Sequence, residues 1–230
     1  MKTFDWWYDD LKQVGLDFED EAQVATYDAR QNSSADRDAA LLKELGLTAG
    51  MAMADIGCGT GVMVCEAARM CRSAVGVDVS AAMLRSAQAR ATRLGCENLT
   101  FQRAGFLSFA LAPASFDLIT TKSALHHLPD FWKAIAIVRM REALKPGGRL
   151  YIQDVAFNCP PGELIAAAEA WIDWLGRETL YSREEGACHI REEHSTFGWI
   201  LERMLTDAGF TLLRREHEGP YARFLAERGG

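Results

Sequence analysis

The 230-residue sequence predicts a doubly wound α/β fold: a mostly parallel sheet with helices on both faces and an antiparallel hairpin at its C-terminal edge. Three observations point there. Short apolar runs alternate with helical stripes over the first two thirds of the chain. A loop with three glycines follows the first apolar run directly and precedes a helix. Two alternating runs near the C-terminus meet at Gly219-Pro220.

Residues 1–33 mix aromatic side chains (Phe4, Trp6, Trp7, Tyr8) with acidic ones and read as an irregular or helical extension. Ala39, Leu42, Leu45 and Leu47 give a rough helical stripe over 35–47. A short apolar strand is expected at 51–56, a helix at 61–71, and a second strand at 74–79. Ser80 is a good N-cap for a helix over 81–94, which Gly95 closes. Strands follow at 99–104 and 116–121. Trp132, Ile135, Val138 and Leu144 stripe a helix over 130–144, Pro146-Gly147-Gly148 breaks it, and 149–155 is a fifth strand. Short apolar strands joined by helices need crossover connections, hence a parallel sheet covered on both faces. Beyond it, 160–177 reads as a helix, 182–194 is polar and charged, and Ser195 is expected to cap a helix that Gly209 ends. The runs 211–218 and 221–227 form the hairpin. The expected organisation is an N-terminal lid or extension over 1–34 and one main domain over 35–230, with 156–200 inserted as a helical substrate cap.

At 49% hydrophobic and 25% charged, the composition is that of an ordinary globular protein. A net charge of -7 disfavours an extended anionic partner, so a small molecule is the better candidate substrate than nucleic acid. No apolar run reaches the roughly 18 residues of a membrane span. The N-terminus carries aspartates and tryptophans where a signal peptide needs a basic start and an apolar core. Cys58, Cys65, Cys71, Cys96, Cys159 and Cys188 form no C-x-x-C pair. They read as thiols in a reducing cytoplasm, with neither a disulfide framework nor a metal site expected.

The most informative segment is Asp55-Ile56-Gly57-Cys58-Gly59-Thr60-Gly61. Three glycines between a strand and a helix make a tight turn that a ligand can approach without Cβ atoms in the way, next to the positive end of a helix. A dinucleotide fingerprint wants G-x-G-x-x-G, but the third glycine comes one residue early and Val62 fills its slot. No phosphate-binding G-K-[ST] is present. Asp55 beside the loop would oppose a pyrophosphate and favour a cation. S-adenosylmethionine carries an ammonium and a sulfonium and no phosphate. Asp78 ends the next strand, about 20 residues beyond the first glycine, where an acid accepts hydrogen bonds from ribose hydroxyls.

Together with F-D-L-I (116–119), A-L-H-H-L-P-D (124–130) and L-K-P-G-G-R-L (144–150), these segments resemble the class I S-adenosylmethionine-dependent methyltransferases, particularly the branch acting on small molecules. The likeness runs over about 35–155, and its five motifs come in the family's order. The phrases H-H-L-P-D-F-W-K and R-E-E-H-S-T-F look like a poorly characterised subgroup. The resemblance implies a Rossmann-like sheet and S-adenosylmethionine as cofactor, with S-adenosylhomocysteine as product. It implies that Gly57, Gly59 and Gly61 line the methionine portion, that Asp55 holds its amino group and that Asp78 binds the ribose. Val79 and Met83 would pack near the adenine. Lys122 and Ser123 would close over the methionine end through backbone atoms, and Tyr27 would fold over the cofactor. One departure stands out: relatives often place an acid after the third strand to contact the adenine amino group, and Gly105 occupies that slot. Adenine would then rest on Phe106 and bond to backbone atoms.

Methyl transfer from a sulfonium is an in-line displacement, so the protein mainly aligns nucleophile, carbon and sulfur. A general base helps if the nucleophile starts protonated. His126 and His127 are the nearest candidates, at the C-terminal edge of the sheet; the competing reading is backbone hydrogen bonding or packing. His189 and His194 are further candidates in the cap. Trp171 and Trp174, three apart on one helix, are read as a substrate wall, core packing or a homodimer contact. Arg183 and Arg191 are candidates for a substrate carboxylate, while Glu184-Glu185 and Glu192-Glu193 read as solvated. Two alternatives stay open: a regulatory protein that binds S-adenosylmethionine or S-adenosylhomocysteine without turnover, and an NAD(P)-dependent oxidoreductase, against which Val62 and Asp55 both argue.

Overall fold

Five strands, β1 (Ala52–Ile56), β2 (Ser73–Asp78), β3 (Leu99–Arg103), β4 (Phe116–Lys122) and β5 (Leu144–Phe157), run parallel in the order β3-β2-β1-β4-β5. The computed structural model describes residues 4–12 and 18–230; of the N-terminal extension, 1–3 and 13–17 lie outside the described residues. Every residue of β1 is buried, as a central strand covered on both faces requires. The strand order reverses between β1 and β4, and in open α/β sheets that switch point opens a crevice at the strands' C-terminal ends. The expected hairpin is present as β7 (Phe210–Glu218) and β8 (Tyr221–Arg228). Its second strand docks antiparallel on β5, so β7 forms the outer edge. A two-residue strand, β6 (Thr196–Phe197), pairs with the tip of β5.

Helices cover both faces. Met53, Leu118 and Tyr151 of the sheet pack with α2 (Ala35–Glu44) and α3 (Val62–Ala68). Ala54, Ile119 and Ile152 point the other way, onto α5 (Asp130–Ala143) and α8 (Gly198–Asp207). Between β2 and β3 lies α4 (Ala81–Leu94), over the residues that the pattern predicts. Ser80 accepts from the Met83 amide at 3.0 Å, and Gly95 ends the helix in the left-handed conformation. Within the extension, α1 (Glu21–Arg30) begins at an Asp20 cap.

Three segments differ from expectation. Residues 182–194, read only as polar and charged, form a helix, α7 (Arg183–Glu192), behind α6 (Leu164–Glu178). Its start is a capping box between Ser182 and Glu185. Ser195 does not cap α8: Thr196 and Phe197 are held extended by the tip of β5, which delays the helix to Gly198. The break at Pro146-Gly147-Gly148 lies inside β5 as a bulge, since Phe116 pairs with Leu144 but Leu118 pairs with Arg149. No helix among the described residues is long and apolar enough to cross a membrane.

Candidate active site

The loop after β1 runs through three left-handed glycines, Gly57 (φ +76), Gly59 (φ +52) and Gly61 (φ +80). They serve different ends. A Cβ on Gly57 would overlap that of Ala124, and one on Gly61 would lie 2.8 Å from the Cβ of Ala87 in α4. These two let the loop pack on its neighbours. Gly59 instead faces Tyr27, whose ring carbon lies 3.4 Å from where its Cβ would be. Asp78 fastens the loop: its carboxylate accepts from Gly59 N at 2.8 Å and from Ser80 N at 2.9 Å. Burial pushes this carboxyl above the usual range, against the pull of those N–H groups.

Of the residues expected at the cofactor, Tyr27, Gly57, Gly59, Asp78, Val79, Met83, Gly105, Phe106 and Ser123 line one cavity. Asp55 and Lys122 line an adjoining cleft that shares Tyr27, Gly57, Gly59 and Ser123 with it. Gly61 lines neither, because α4 covers it. Asp55 is 4% exposed and accepts from Thr120 Oγ1 at 2.6 Å. Burial raises its carboxyl to about 6, with Thr120 and Lys122 holding it back. The Lys122 ammonium reaches away to Asp38 of α2, at 2.5 Å.

The slot at Gly105 is filled from a distance. A Cβ there would overlap the carboxylate of Asp10, which accepts from Leu107 N at 2.6 Å and from Ser108 Oγ at 3.3 Å. Asp10 lines the same cavity. No local pattern predicts it, because its partners lie almost a hundred positions along the chain.

Described residues of the N-terminal segment line the cavity. Phe18 meets the rings of both Tyr27 and His127 edge-on. From α1, Arg30 pairs with Glu185 of α7 and stacks over Tyr181 at 4.4 Å, and Gln31 donates to the Tyr181 hydroxyl at 2.6 Å. Glu185, read as solvated, therefore ties extension to cap.

His126 and His127 sit in a short 3-10 turn, Leu125–His127, after β4. Asp154 of β5 organises the turn: it accepts from Leu125 N at 2.7 Å and pairs with His126 Nδ1. The other ring nitrogen, Nε2, lies 3.2 Å from Glu193, which also pairs with His189. His189 Nε2 is 2.6 Å from Ser195 Oγ, the hydroxyl expected as a helix cap. Glu193, read as solvated, is instead 6% exposed between two histidines. Burial alone would lower His126, but Asp154 and Glu193 hold it up at about 10. Burial and the neighbouring His126 push His127 down to about 3. Both ring nitrogens of His126 thus face carboxylates. The buried Nδ1 of His127 has no hydrogen-bond partner among the described residues.

The cap residues divide. Trp171 is buried, lines the cavity and meets His189, Phe157 and Tyr221 edge-on, whereas Trp174 is 42% exposed; the two do not form one wall. Arg183 pairs with Glu169 and Asp173, and Arg191 with Glu184 and Glu192, all at the surface and away from the cavity. His194 donates its backbone N–H to His126 O at 2.8 Å, and its ring does not line the cavity. Trp6, Trp7 and Tyr8 gather around Trp132 of α5.

A family model described as a methyltransferase domain matches residues 47–203. The chain is 31% identical to a 27-O-demethylrifamycin SV methyltransferase of Amycolatopsis mediterranei, over 74% of this chain and 62% of the relative. It is 32% identical to a ubiquinone biosynthesis O-methyltransferase of Albidiferax ferrireducens, over 57% of this chain and 52% of that one. The chain thus spans between half and two thirds of the length of these curated relatives. The crystal structure of an S-adenosylmethionine-dependent methyltransferase from Aquifex aeolicus shares the fold, with a TM-score of 0.66 at 20% identity over 90% of this chain and 98% of that one. With more than half of its length matched by the family model, the chain belongs to the methyltransferase-domain family and has the class I S-adenosylmethionine-dependent fold.

Proposed function

We propose that the chain transfers the methyl group of S-adenosylmethionine to an oxygen of a small-molecule acceptor. One observation carries this reading: Asp78, Phe106 and Asp10, groups that suit a nucleoside, line the same cavity as the polar cluster of His126, His127 and Glu193. Asp78 takes the ribose hydroxyls. Phe106 takes a face of the adenine, and Asp10 accepts from its exocyclic amino group in place of the acid that Gly105 lacks. The methionine portion runs past Gly57 and Gly59 toward Asp55, and Tyr27 closes over it. One named relative is an O-methyltransferase and the other a methyltransferase of a 27-O-demethyl compound, which favours oxygen as the accepting atom.

In this arrangement residues 1–34 act as the lid and 156–200 as the substrate cap of a catalytic domain over 35–230. His127 and Trp171 border the space left for the acceptor. The protein's main contribution is alignment of the accepting atom with the methyl carbon and sulfur, which can lower a barrier by about 7–11 kcal/mol in favourable cases. The net charge of -7 favours a small molecule over nucleic acid. All six cysteines are free thiols, as suits a cytoplasmic site of action. The exposed Trp174 face of α6 suits a homodimer contact.

The test is incubation with methyl-labelled S-adenosylmethionine and a panel of phenols, enols and alcohols, following S-adenosylhomocysteine by mass spectrometry. Label transfer to hydroxyl compounds is expected. Tight cofactor binding with no transfer to any O, N, S or C acceptor would favour the regulatory reading instead.

A further inference from the structure

We propose that His126, His127 and Glu193 bind one divalent transition-metal ion at the acceptor end of the cavity, and that this ion holds the oxygen to be methylated. The second clause rests on the methyl-transfer reading; the ion site stands on its own geometry. One ligand atom from each residue lies within 4.8 Å of the others. Bonds from a zinc-class ion to nitrogen and oxygen are about 2.0–2.2 Å, so its ligand atoms sit no more than about 4 Å apart. Binding would draw the three side chains together by less than about 1 Å. Two imidazoles and a carboxylate, with positions left open, suit zinc, iron or cobalt better than calcium or magnesium, which prefer all-oxygen shells.

The surrounding groups are those that such a site needs. Asp154 is fixed by backbone N–H groups of Leu125 and Val155, each at 2.7 Å, and takes the Nδ1 side of His126. This sets the ring's orientation and turns Nε2 toward Glu193, as carboxylates behind metal-binding histidines do. Nε2 of a neutral imidazole and a carboxylate are both acceptors, so a positive charge must lie between them; a proton and a metal ion are the two ways to supply it. His127 tips the balance toward the ion. Its Nδ1 is buried with no hydrogen-bond partner among the described residues, although the rings of His126 and His127 are only 4.3 Å apart. A proton shared by His126 and Glu193 leaves His127 without a role; an ion gives it one.

The ion would also supply a step that the histidines do not. A hydroxyl bound to a divalent ion loses its proton to solvent far more readily than a free one. The oxygen's electron pair then forms the bond to the methyl carbon, and the carbon–sulfur bond breaks with its pair passing to sulfur.

To test this, the full-length protein is stripped with a chelator and titrated with Zn²⁺ and Mn²⁺ by calorimetry, with S-adenosylhomocysteine titrated in parallel. One Zn²⁺ per chain is expected. Binding should weaken by at least about a hundredfold in His127→Ala and Glu193→Gln, and by roughly 10–100-fold in Asp154→Asn, with thermal melts showing that each variant folds. His127→Ala keeps the test sound because it leaves the Asp154–His126–Glu193 contacts intact. Zinc uptake unchanged in both His127→Ala and Glu193→Gln would place the ion elsewhere and overturn the proposal. Stripped protein that binds S-adenosylhomocysteine but neither ion overturns the metal site and leaves the methyl-transfer reading standing. Zinc bound at this cluster without any binding of S-adenosylhomocysteine does the reverse.

Discussion

The carboxylate of Asp78 is oriented by two backbone N–H groups before any ribose arrives. A hydrogen bond to a charged group contributes about 1.5–3 kcal/mol, so Asp78→Ala should weaken S-adenosylhomocysteine binding at least about tenfold by calorimetry. Unchanged affinity in a folded variant would rule out the ribose role. Asp10 makes a sharper case, because it fills from the N-terminal segment the space that a side chain at Gly105 would need. Asp10→Ala should cost about tenfold in affinity for S-adenosylhomocysteine. It should cost far less for the inosine analogue, which lacks the amino group; equal losses would make Asp10 a structural residue only. Asp55 is the residue at which stability and binding oppose each other. Burial raises its folded carboxyl to about 6, above the value of an unfolded aspartate. The folded state therefore holds a proton that the unfolded chain releases. This group's contribution to stability falls as pH rises from about 4 to 6, and above that window it costs about 3 kcal/mol. Asp55→Asn keeps an oxygen for Thr120 and removes the charge. It should melt at a higher temperature than the parent protein at pH 8, with the gain vanishing near pH 4, while binding the cofactor's ammonium end more weakly. A variant that melts lower at pH 8 would contradict this.

At the scale of elements, the extension and the cap meet over the cavity through Arg30, Glu185 and Tyr181. A largely desolvated Arg pair that spans two segments is worth more than a surface one. Arg30→Ala should therefore speed release of S-adenosylhomocysteine by about tenfold in stopped-flow, with little change in melting temperature; unaltered release would mean that this contact does not gate the site. The sheet and its flanking helices were largely legible from the sequence. Strands such as β1 are short, apolar and bounded by glycine or serine, and α4 carries both of its caps in its own residues. The glycine loop and Asp78 were legible for the same reason, since a βα turn is local. What escaped depends on the fold. The Ser182–Glu185 capping box was written in the sequence, but α7 has no apolar stripe: Gly186 is its one buried residue. Glu193 sits among charged residues in the sequence, and its side chain is covered by contacts with His126 and His189 that no local pattern announces. Gly61 looked like its two neighbours, yet the position of α4 makes it a packing residue.

For the whole molecule, the site is a composite of three stretches of chain. The sheet edge presents the glycine loop, Asp78 and the paired histidines; the N-terminal segment brings Asp10 and Tyr27; the cap brings Trp171, His189 and Glu193. Removing residues 1–34 should therefore leave a folded sheet, because the sheet's main clusters draw on residues from Leu41 onward and, among the described residues of the extension, only Trp7 and Tyr8 pack against them. Such a truncated chain should lose nearly all affinity for the cofactor; retained affinity would remove Asp10 and Tyr27 from the account. A cavity built for a sulfonium nucleoside should be recognised by calorimetric titration of the intact protein with S-adenosylhomocysteine, with NADH as the control. One S-adenosylhomocysteine per chain is expected, with no heat from NADH. Saturable binding of NADH, or no binding of S-adenosylhomocysteine by a folded protein, would contradict it.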